Sequence, residues 1–485
     1  MDLFIDPDGD GTITGSLFAQ LRGAIESGRL AAGDRLPPTR QVADELGISR
    51  HTVTTVYGRL VAEGYTDGRA GAGSYVTSMV APTPTTPTKP TALAAVVEPE
   101  PWYSEPLAAP RVRFDLRSGT PDLGLFPIVD WRRCMTTALQ TPPVGYDHPA
   151  GAESLRRALA RWIGVSRAVE ASAEQVIVTS GAQHAIDLIT RLLVRPGDVI
   201  AVEDPGYPPV TRLFRALGAD VAPVPVDAEG IVVDRIPHNV RLIYTTPSHQ
   251  SPTGVTMSFA RRRDLLQCAN NHDVAIIEDD YDSEYRHVDR PLEPLFRLDQ
   301  HGRVIYIGTF SKTLAPSLRL GFVVLPPSLT APARNLRALI DRQPPAAMQD
   351  ALTNFIVHGH LRRHLKRTRK IYSERHRIVT DFTDRMTTAG LFADVPLSNA
   401  GLHVAALLPA GTDDRELRSR SSAGGIVIGN WGECWQHPNP PPGLIIGFGG
   451  VQAAHLSDAL GELEEYISAA SRGPGLPHRP SLGRF

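Results

Sequence analysis

Residues 309–321 read TFSKTLAPSLRLG, and they follow the apolar run Val304-Ile305-Tyr306-Ile307. The segment contains one of only four lysines in a chain that has 46 arginines. That lysine, Lys312, carries a primary amine that can condense with an aldehyde, and the guanidinium of an arginine cannot replace it. Arg319 lies seven residues further on and offers a guanidinium that can hold a phosphate. The segment therefore indicates a covalent site for an aldehyde that carries a phosphate.

Four segments with related chemistry precede it, each after an apolar, strand-like run. Thr179–Gln183 joins a strand to a helix, whose N-terminal amides bind phosphate. Glu203–Tyr207 ends in an aromatic side chain that can stack on a flat ring. Residues 246–254, TPSHQSPTG, end the next strand, and Ile276–Tyr281 places acids at the end of another. A carboxylate there can keep a pyridine nitrogen protonated. Each segment is weak alone, but together and in this order they predict a pyridoxal phosphate (PLP) site.

The acid that faces the ring is not decided by the order of the segments. Asp279 and Asp280 are adjacent, and adjacent residues of a strand point to opposite faces, so only one of them can face the cofactor. The competing interpretation is that Lys312 is an ordinary exposed lysine and Asp279 a helix cap.

The apolar runs between residues 114 and 470 predict an α/β fold. They are short, continuous and separated by helix-like stretches, which is typical of a mostly parallel sheet covered on both faces. The runs are residues 176–178, 199–202, 242–244, 274–277, 304–307 and 322–325.

Residues 12–78 predict a separate α+β unit with three helices and a hairpin. Leu17, Leu21 and Ile25 share one face of a first helix between Gly15 and Gly28. Thr39 is a candidate N-cap for a second helix, which Gly47 ends, and Ser49 for a third. The third helix turns Val53, Val56, Tyr57 and Leu60 inward and leaves Arg50, His51, Thr52 and Thr55 outward. The glycine-bent segment 68–76 suits a wing.

LPPTRQVADELGISRHTVTTVYGRLVAEGY, followed by GAGSYV, closely resembles the GntR family of bacterial regulators. The resemblance implies a winged helix-turn-helix that binds a double-stranded DNA operator. By that resemblance the DNA contacts come from the second and third helices and from the wing: Arg40, Arg50, His51, Thr52, Arg69, Gly71 and Gly73. The alternative is a helical bundle with solvated arginines.

Residues 114–470 resemble the fold-type I aminotransferases, and together with the GntR-like unit the chain resembles the MocR subfamily of regulators. The resemblance implies that Lys312 forms the Schiff base with PLP, that Asp279 pairs with the ring nitrogen and that Tyr281 pairs with the ring hydroxyl. It further implies that Tyr207 stacks on the ring. The remaining implied contacts form the phosphate cup: Ser180, Gly181, Ala182, Thr309, Ser311 and Arg319.

Two positions depart from the aminotransferase pattern. Those enzymes hold the substrate carboxylate with an arginine three residues before a phenylalanine, and Ile445 stands there. Ser251 stands where many have an asparagine before Pro-Thr-Gly. Arg212 and Arg286 remain alternative carboxylate ligands. The departures favour PLP itself as the signal, as in the PdxR branch that governs vitamin B6 supply. An amine or amino acid that reacts at the PLP site, or a working aminotransferase, are the alternatives.

The rest of the chain sets the context. Eight prolines fall within 79–113, which predicts a semi-rigid linker, and residues 471–485 predict a disordered tail. Three scattered cysteines, no metal-ligand spacing and no apolar run of membrane length predict a cytoplasmic protein without a metal. The resemblance implies a homodimer. Residues 362–377 carry eight Lys or Arg, spread around a helix, which serve either as a DNA-backbone contact or as a solvated bridge between the halves of the large unit.

Overall fold

The computed structural model describes residues 12–69, 73–78, 112–140, 142, 145–287 and 293–471. Contacts divide the chain into two units, Met1–Val96 and Val97–Phe485, which are described separately. The predicted linker, except for its last two residues, and the predicted tail after residue 471 lie outside the described residues.

The small unit contains three helices and a two-stranded hairpin: α1 (Ile13–Glu26), α2 (Thr39–Leu46), α3 (Arg50–Ala62), β1 (Thr66–Arg69) and β2 (Gly73–Val76). The four residues predicted to turn inward from α3 are all buried, and they pack with Leu17 and Leu21 of α1. Arg50 and His51 are exposed at the start of α3. The three-helix prediction is confirmed.

Helix starts and stops follow the local sequence with one exception. Ser49 caps α3 by accepting a hydrogen bond from the amide of Thr52 at 3.1 Å, as predicted. Gly47 ends α2 in the left-handed conformation, with φ of 64°. The prediction that Thr39 caps α2 is wrong. Pro38 occupies the cap position without a side-chain bond, because its fixed φ already suits the helix entrance and Thr39 is the first helical residue.

The hairpin pairs antiparallel and is extended by the segment before α2. Leu36 donates to the carbonyl of Ser74 at 2.9 Å, and Val76 donates to the carbonyl of Asp34 at 2.9 Å. This arrangement is a winged helix-turn-helix. The tip of the wing, including Gly71, lies outside the described residues.

The large unit is built from twelve strands and eleven helices within the part of the chain that the structure describes. The strands are β3 (Phe114–Leu116), β4 (Val176–Thr179), β5 (Val199–Asp204), β6 (Asp220–Asp227), β7 (Gly230–Ile231), β8 (Val240–Thr245), β9 (Ala275–Asp280), β10 (Val304–Thr309), β11 (Gly321–Val324), β12 (His403–Leu407), β13 (Ile426–Ile428) and β14 (Gly443–Gly447). The helices are α4 (Ile128–Ala138), α5 (Glu153–Arg167), α6 (Ala182–Leu193), α7 (Pro208–Ala216), α8 (Phe259–His272), α9 (Leu295–Leu298), α10 (Pro327–Ile340), α11 (Ala346–Val357), α12 (His360–Thr388), α13 (Asp414–Ala423) and α14 (Ala453–Ser471).

An eight-stranded sheet, in the order β4-β11-β10-β9-β8-β5-β6-β7, forms the centre. All six predicted runs are strands in it, and β10, β9, β8, β5 and β6 are parallel. The sheet is more mixed than expected, because β11 is antiparallel to both its neighbours. The connection 310–320 between β10 and β11 is shorter than a parallel crossover requires, so the chain can only turn back.

Parallel pairing gathers the predicted motifs. The carboxyl ends of β5, β8, β9 and β10 lie at one edge of the sheet, and the segments that carry Tyr207, Ser251, Tyr281 and Lys312 leave from that edge. Sites in sheets of this kind form outside the carboxyl ends of the strands.

Helix α12 carries the basic run, and its charges occupy one side instead of most of the surface. Leu361, His364, Leu365, Thr368 and Tyr372 are buried on the other side. Seven of the eight basic residues are exposed. The exception is Arg375, which donates to Asp122 at 2.5 Å and to the carbonyl of Gly449 at 2.7 Å.

None of the described helices combines the length and the apolar character needed to span a bilayer.

The close approach of β11 to the turn before α6 generates the first prediction. A Cβ on Gly321 would lie 2.7 Å from the Cα of Gly181, a backbone atom that cannot move aside cheaply. Gly321→Ala should lower the free energy of unfolding by roughly 1–3 kcal/mol, measured by denaturant unfolding. Gly461→Ala, in α14 with no atom within 4 Å of the added Cβ, should raise it by about 0.5–1 kcal/mol. Equal effects of the two substitutions would contradict the packing argument.

Candidate functional site

A cavity of about 360 Å³ lies at the carboxyl edge of the sheet. Eight of the ten residues predicted to bind the cofactor line it: Ala182, Tyr207, Asp279, Tyr281, Thr309, Ser311, Lys312 and Arg319. Ser180 and Gly181 do not line it, but they directly precede Ala182 at the start of α6. The structure therefore brings the predicted set together in one place.

Lys312 is held by a residue that the sequence interpretation missed. Its Nζ donates to the carbonyl of Gly119 at 2.7 Å. Gly119 has φ of +74°, and a Cβ there would lie 2.8 Å from Nζ, so only glycine fits. Burial lowers the pKa of the Lys312 amine, and the carboxylates of Asp282 and Asp279 partly offset this effect. A lowered pKa makes more of the amine available as a nucleophile.

Asp279 lies in the cavity wall with one oxygen engaged and one free. Its Oδ2 accepts from the hydroxyl of Tyr244 at 2.7 Å, whereas its buried Oδ1 has no hydrogen-bond partner among the described residues. Burial raises the pKa of Asp279 to about 7, and the Tyr244 hydroxyl works against that rise. A buried, unpaired carboxylate oxygen that faces a cavity fits the N–H of a protonated ring.

Asp280 does not line the cavity, and its Oδ2 is paired elsewhere, whereas its buried Oδ1 has no hydrogen-bond partner among the described residues. Its Oδ2 accepts from Arg167 Nε at 2.7 Å and from the hydroxyl of Tyr306 at 2.5 Å. Burial alone would raise the pKa of Asp280, but the charge of Arg167 and the Tyr306 hydroxyl bring it below its usual value. The two adjacent acids thus have separate roles, and the geometry favours Asp279 as the ring partner.

The opposite end of the cavity suits an anion. Gly181 precedes the first residue of α6 with φ of 96°, and a Cβ there would lie 3.2 Å from Nη2 of Arg319. The free amides of a helix start and a guanidinium therefore point at the same space. Thr309 and Ser311 bring two hydroxyls there, 3.0 Å apart.

The segment TPSHQSPTG is held by a buried acid. Glu203 accepts from Thr246 Oγ1 at 2.7 Å and from Gln250 Nε2 at 3.1 Å. These bonds fix the loop that places Ser251 in the cavity wall.

His249 and Asp282 form a buried pair behind Tyr281 that the sequence interpretation also missed. His249 Nδ1 lies 3.0 Å from both carboxylate oxygens of Asp282 and 3.0 Å from the hydroxyl of Tyr281. His403, which lines the cavity, packs beside His249 with ring centroids 4.7 Å apart. His249, Asp282 and His403 each offer one atom that could bind a metal ion, and these three atoms lie within 4.8 Å of one another. The signal in the sequence was the position of His249 inside a segment already singled out.

The remaining wall lacks a group for a carboxylate. Ile445 is buried there, beside Asn430, Glu433 and Cys434. Lys312 and Arg319 are the only cations among the described lining residues. Neither Arg212 nor Arg286 lines the cavity. Burial and the charge of Arg167 lower the pKa of Arg286 to about 10, and the charge of Asp280 partly offsets this effect.

The small unit presents its predicted DNA-contact residues as expected for a winged helix, as far as they are described. Arg40, Arg50, His51 and Gly73 are exposed and Thr52 is half-buried. Arg69 belongs to β1, although its side chain is outside the description, as is Gly71.

Two family models match the chain in the same order as the two units. Residues 14–76 match the "Bacterial regulatory proteins, gntR family" model, and residues 114–404 match the "Aminotransferase class I and II" model. The chain is 34% identical over 484 residues to the "Probable rhizopine catabolism regulatory protein MocR" of Rhizobium meliloti, covering 98% of each chain.

A second regulator and an aminotransferase of known structure are also similar to the chain. The "HTH-type pyridoxine biosynthesis transcriptional regulator PdxR" of Corynebacterium glutamicum is 31% identical, with 96% of this chain and 99% of that protein covered. The structure of the multiple substrate aminotransferase of Thermococcus profundus superposes with a TM-score of 0.68 at 28% identity, covering 74% of this chain and 92% of that one. The winged helix-turn-helix and the fold-type I aminotransferase fold are thereby confirmed.

The contrast between the two acids yields a second prediction. The pKa of Asp279 rises from 3.8 to about 7 on folding, so the folded protein holds a proton that the unfolded chain loses. The free energy of unfolding therefore falls as pH rises between these values. Above pH 7, the cofactor-free Asp279→Asn variant should have a free energy of unfolding up to roughly 4 kcal/mol higher than that of wild type. Denaturant unfolding at several pH values measures the difference.

Asp280→Asn is the matched control with the opposite sign. The pKa of Asp280 is lower in the folded protein than in the unfolded chain. Its carboxylate therefore stabilises the fold at pH values above the unfolded-state pKa, and this stabilisation is lost as pH falls through the folded-state pKa. Asp280→Asn should be less stable than wild type at neutral pH, because Arg167 keeps a buried charge without its partner. The same sign for both variants would refute the assignment of the two acids.

Proposed function

The chain belongs to the MocR subfamily of GntR-type regulators, and from that premise we propose that it is a transcription regulator whose DNA binding depends on PLP held at Lys312. One observation supports the cofactor above all. The free Oδ1 of Asp279 is buried in the wall of the cavity that contains Lys312 and the start of α6. An amine, an anion-binding helix start and an unpaired carboxylate match the aldehyde, the phosphate and the ring nitrogen of PLP.

The cofactor, when bound, supplies an aldehyde carbon with which a primary amine condenses. Each residue of the chain has a separate part. Lys312 provides the amine, and Asp279 holds the proton on the ring nitrogen. Tyr207 packs against the ring, and Tyr281 donates to the ring hydroxyl oxygen. The phosphate is bound by the amides at the start of α6, the hydroxyls of Thr309 and Ser311, and the guanidinium of Arg319.

The small unit is the DNA reader in this proposal. The N-terminal residues of α3 enter the major groove, where Arg50, His51 and Thr52 reach base edges. Arg40, at the start of α2, contacts the phosphate backbone, and the wing with Arg69, Gly71 and Gly73 adds contacts beside the helix. Phosphate contacts fix the register, whereas base-edge contacts select the sequence.

The proposed signal is PLP itself, and the proposed output is control of vitamin B6 supply. The buried Ile445 supports this signal, because isoleucine offers no bidentate contact to an amino-acid carboxylate. The similarity to PdxR of Corynebacterium glutamicum, whose name refers to pyridoxine biosynthesis, gives a second line of support.

A second candidate signal is an amine without a carboxylate. Glu433 and Asn430 line the wall near Ile445, and a carboxylate with an amide there favours an ammonium or hydroxyl group. The relative from Rhizobium meliloti, named for rhizopine catabolism, is consistent with a small organic signal. An α-amino acid is disfavoured in both candidates, and so is ordinary transamination.

A homodimer is the proposed functional form. Several large apolar side chains of the large unit are exposed, including Leu339, Ile128 and Tyr146, which is 82% exposed. Burying such side chains against a second copy would add apolar contact area to a dimer. A second copy also provides two winged helices for two half-sites. Sedimentation of the purified chain as a monomer would remove this part of the proposal.

The third prediction tests sensing. DNA affinity of the wild type should change about five-fold or more on addition of PLP, as typical coupling energies require. Lys312→Ala should stay folded and lose that change, whereas Lys366→Ala, on the exposed side of α12, should keep it. Fluorescence anisotropy with labelled operator DNA, selected from a random pool, measures the affinity. A normal response of Lys312→Ala would refute the sensing role.

The same assay separates the two candidate signals. A response to PLP alone, unchanged by added 1,4-diaminobutane, favours PLP as the signal. A response that requires the diamine, and that Glu433→Gln abolishes, favours the amine. A response to alanine equal to that to the diamine would contradict both.

The fourth prediction concerns operator recognition. Arg50→Ala should cost about 1–3 kcal/mol on the selected operator and relax the base preference at one position. Arg40→Ala should weaken binding to selected and to random DNA equally, and it should reduce the number of counterions released on binding by about one. Identical behaviour of the two variants on both DNA sequences would show that neither residue reads bases.

A further inference from the structure

A second cavity, of about 720 Å³, borders the cofactor cavity in the large unit. Its wall is formed by the start of α13, by the first residues of β14 and by the loop that joins β13 to β14. Asn430 and Glu433 of this loop line both cavities. Lys312 and Arg319 line the cofactor cavity alone. Small-molecule sites usually have volumes of roughly 300–1,000 Å³, so the second cavity has room for a ligand of its own.

Two arginines of α13, Arg415 and Arg418, line the second cavity. They are three positions apart in the sequence, so their side chains are neighbours on one face of the helix. Arg415 is exposed and Arg418 is half-buried. Among the residues that the structure describes, neither guanidinium has a hydrogen bond or an ion pair. Two guanidiniums without a protein partner therefore border the same cavity.

The two acids of the wall do not neutralise these arginines. Oδ2 of Asp414 accepts from the amide of Gly443 at 3.2 Å, and this bond ties the start of α13 to β14. Glu433 lies at the boundary with the cofactor cavity. Neither acid is ion-paired with Arg415 or Arg418 in the described part of the chain. Both arginines are therefore available to an anion from solution.

The loop between β13 and β14 adds an apolar wall. Pro438, Pro440 and Pro442 line the second cavity, and their rings fix the backbone φ of the loop. Trp431 lines it as well, and its Nε1 donates to the carbonyl of Pro441 at 2.8 Å. A wall that is already fixed loses little conformational freedom when a ligand packs against it. The carbon skeleton of a ligand can therefore pack here at a small entropic cost.

We propose that the second cavity binds a small organic anion with two negative charges, held by Arg415 and Arg418. A guanidinium donates two parallel hydrogen bonds to a carboxylate or to a phosphate, so dicarboxylates and phosphate monoesters share the chemistry that this pair recognises. The carbon skeleton of the ligand packs against the proline wall. The described lining residues include no lysine, so the ligand is not captured through an amine. The site needs no cofactor and does not depend on the proposed role of Lys312.

Isothermal titration calorimetry on the cofactor-free full chain tests the site, with succinate and glycerol phosphate as probes at constant ionic strength. At least one probe should bind. Arg415→Ala and Arg418→Ala should each weaken that binding about ten-fold or more, because charge-assisted hydrogen bonds are lost. Arg420→Ala is the matched control and should bind like wild type, because Arg420 is exposed on the same helix but does not line the cavity.

Two results of this titration would overturn the proposal. The first is the absence of binding of both probes at millimolar concentrations. The second is an equal loss of affinity in Arg418→Ala and Arg420→Ala, because it would show only a general effect of the positive charge of α13.

The predicted phosphate cup of the cofactor cavity is a competing place for either probe, and Arg319→Ala separates the two. The titrations are repeated in the Arg319→Ala background, which lacks the guanidinium of the cup. The effects of Arg415→Ala and Arg418→Ala should persist there. Loss of probe binding in Arg319→Ala alone would place the anion in the cofactor cavity and overturn the proposal.

Comparison of the two probes identifies the ligand class. Tighter binding of succinate identifies dicarboxylates and tighter binding of glycerol phosphate identifies phosphate monoesters, and both results support the site. A chain that binds a probe but does not respond to PLP keeps this site and loses the proposed sensing role. A chain that responds to PLP but binds neither probe keeps the sensing role and loses this site.

Discussion

The large unit depends on one constraint, which is the burial of the Asp279 carboxylate at the end of β9 with Oδ1 unpaired. Leaving a buried polar group without a partner costs about 1–3 kcal/mol, and more for a charge. The chain supports this state by fixing the other oxygen with Tyr244 from the neighbouring strand β8. It also places the adjacent acid on the far side of the strand, where Arg167 neutralises it. A complementary N–H in the cavity would remove this cost.

Much of this arrangement could be predicted from the sequence, because it follows from strand ends. Short apolar runs placed β4, β5, β8, β9, β10 and β11, and parallel pairing placed the carboxyl ends of β5, β8, β9 and β10 at one edge. What could not be predicted came from contacts distant in the chain. Gly119 touches Lys312 across 193 positions, and no local pattern announces such a contact. Strand β6 was missed because Pro223 and Pro225 argue against a strand, yet they are tolerated near the edge of the sheet.

For the ends and faces of helices, too, some features follow from the local sequence and others only from tertiary contacts. The buried side of α3 was predicted residue by residue, because a repeat of three to four residues identifies the apolar face directly. The start of α2 was placed one residue late, since Pro38 can serve as the cap residue without donating or accepting through a side chain. On α12 the basic residues were expected around most of the helix surface, but Arg375 is buried against Asp122, and only tertiary structure shows that pairing.

A sensor and an enzyme differ in how the same cavity must bind a ligand. An enzyme must hold its substrate carboxylate in a fixed orientation, whereas a regulator needs only a ligand that binds two states of the protein unequally. Ile445 in the cavity wall offers no bidentate contact for such a carboxylate. Lys312, Asp279, Tyr281 and the start of α6 surround one cavity. In the proposed regulator, the energy of ligand binding would act on conformation. Hydrogen bonds lead from Tyr281 through His249 and Ser398 to His376 on the long helix α12.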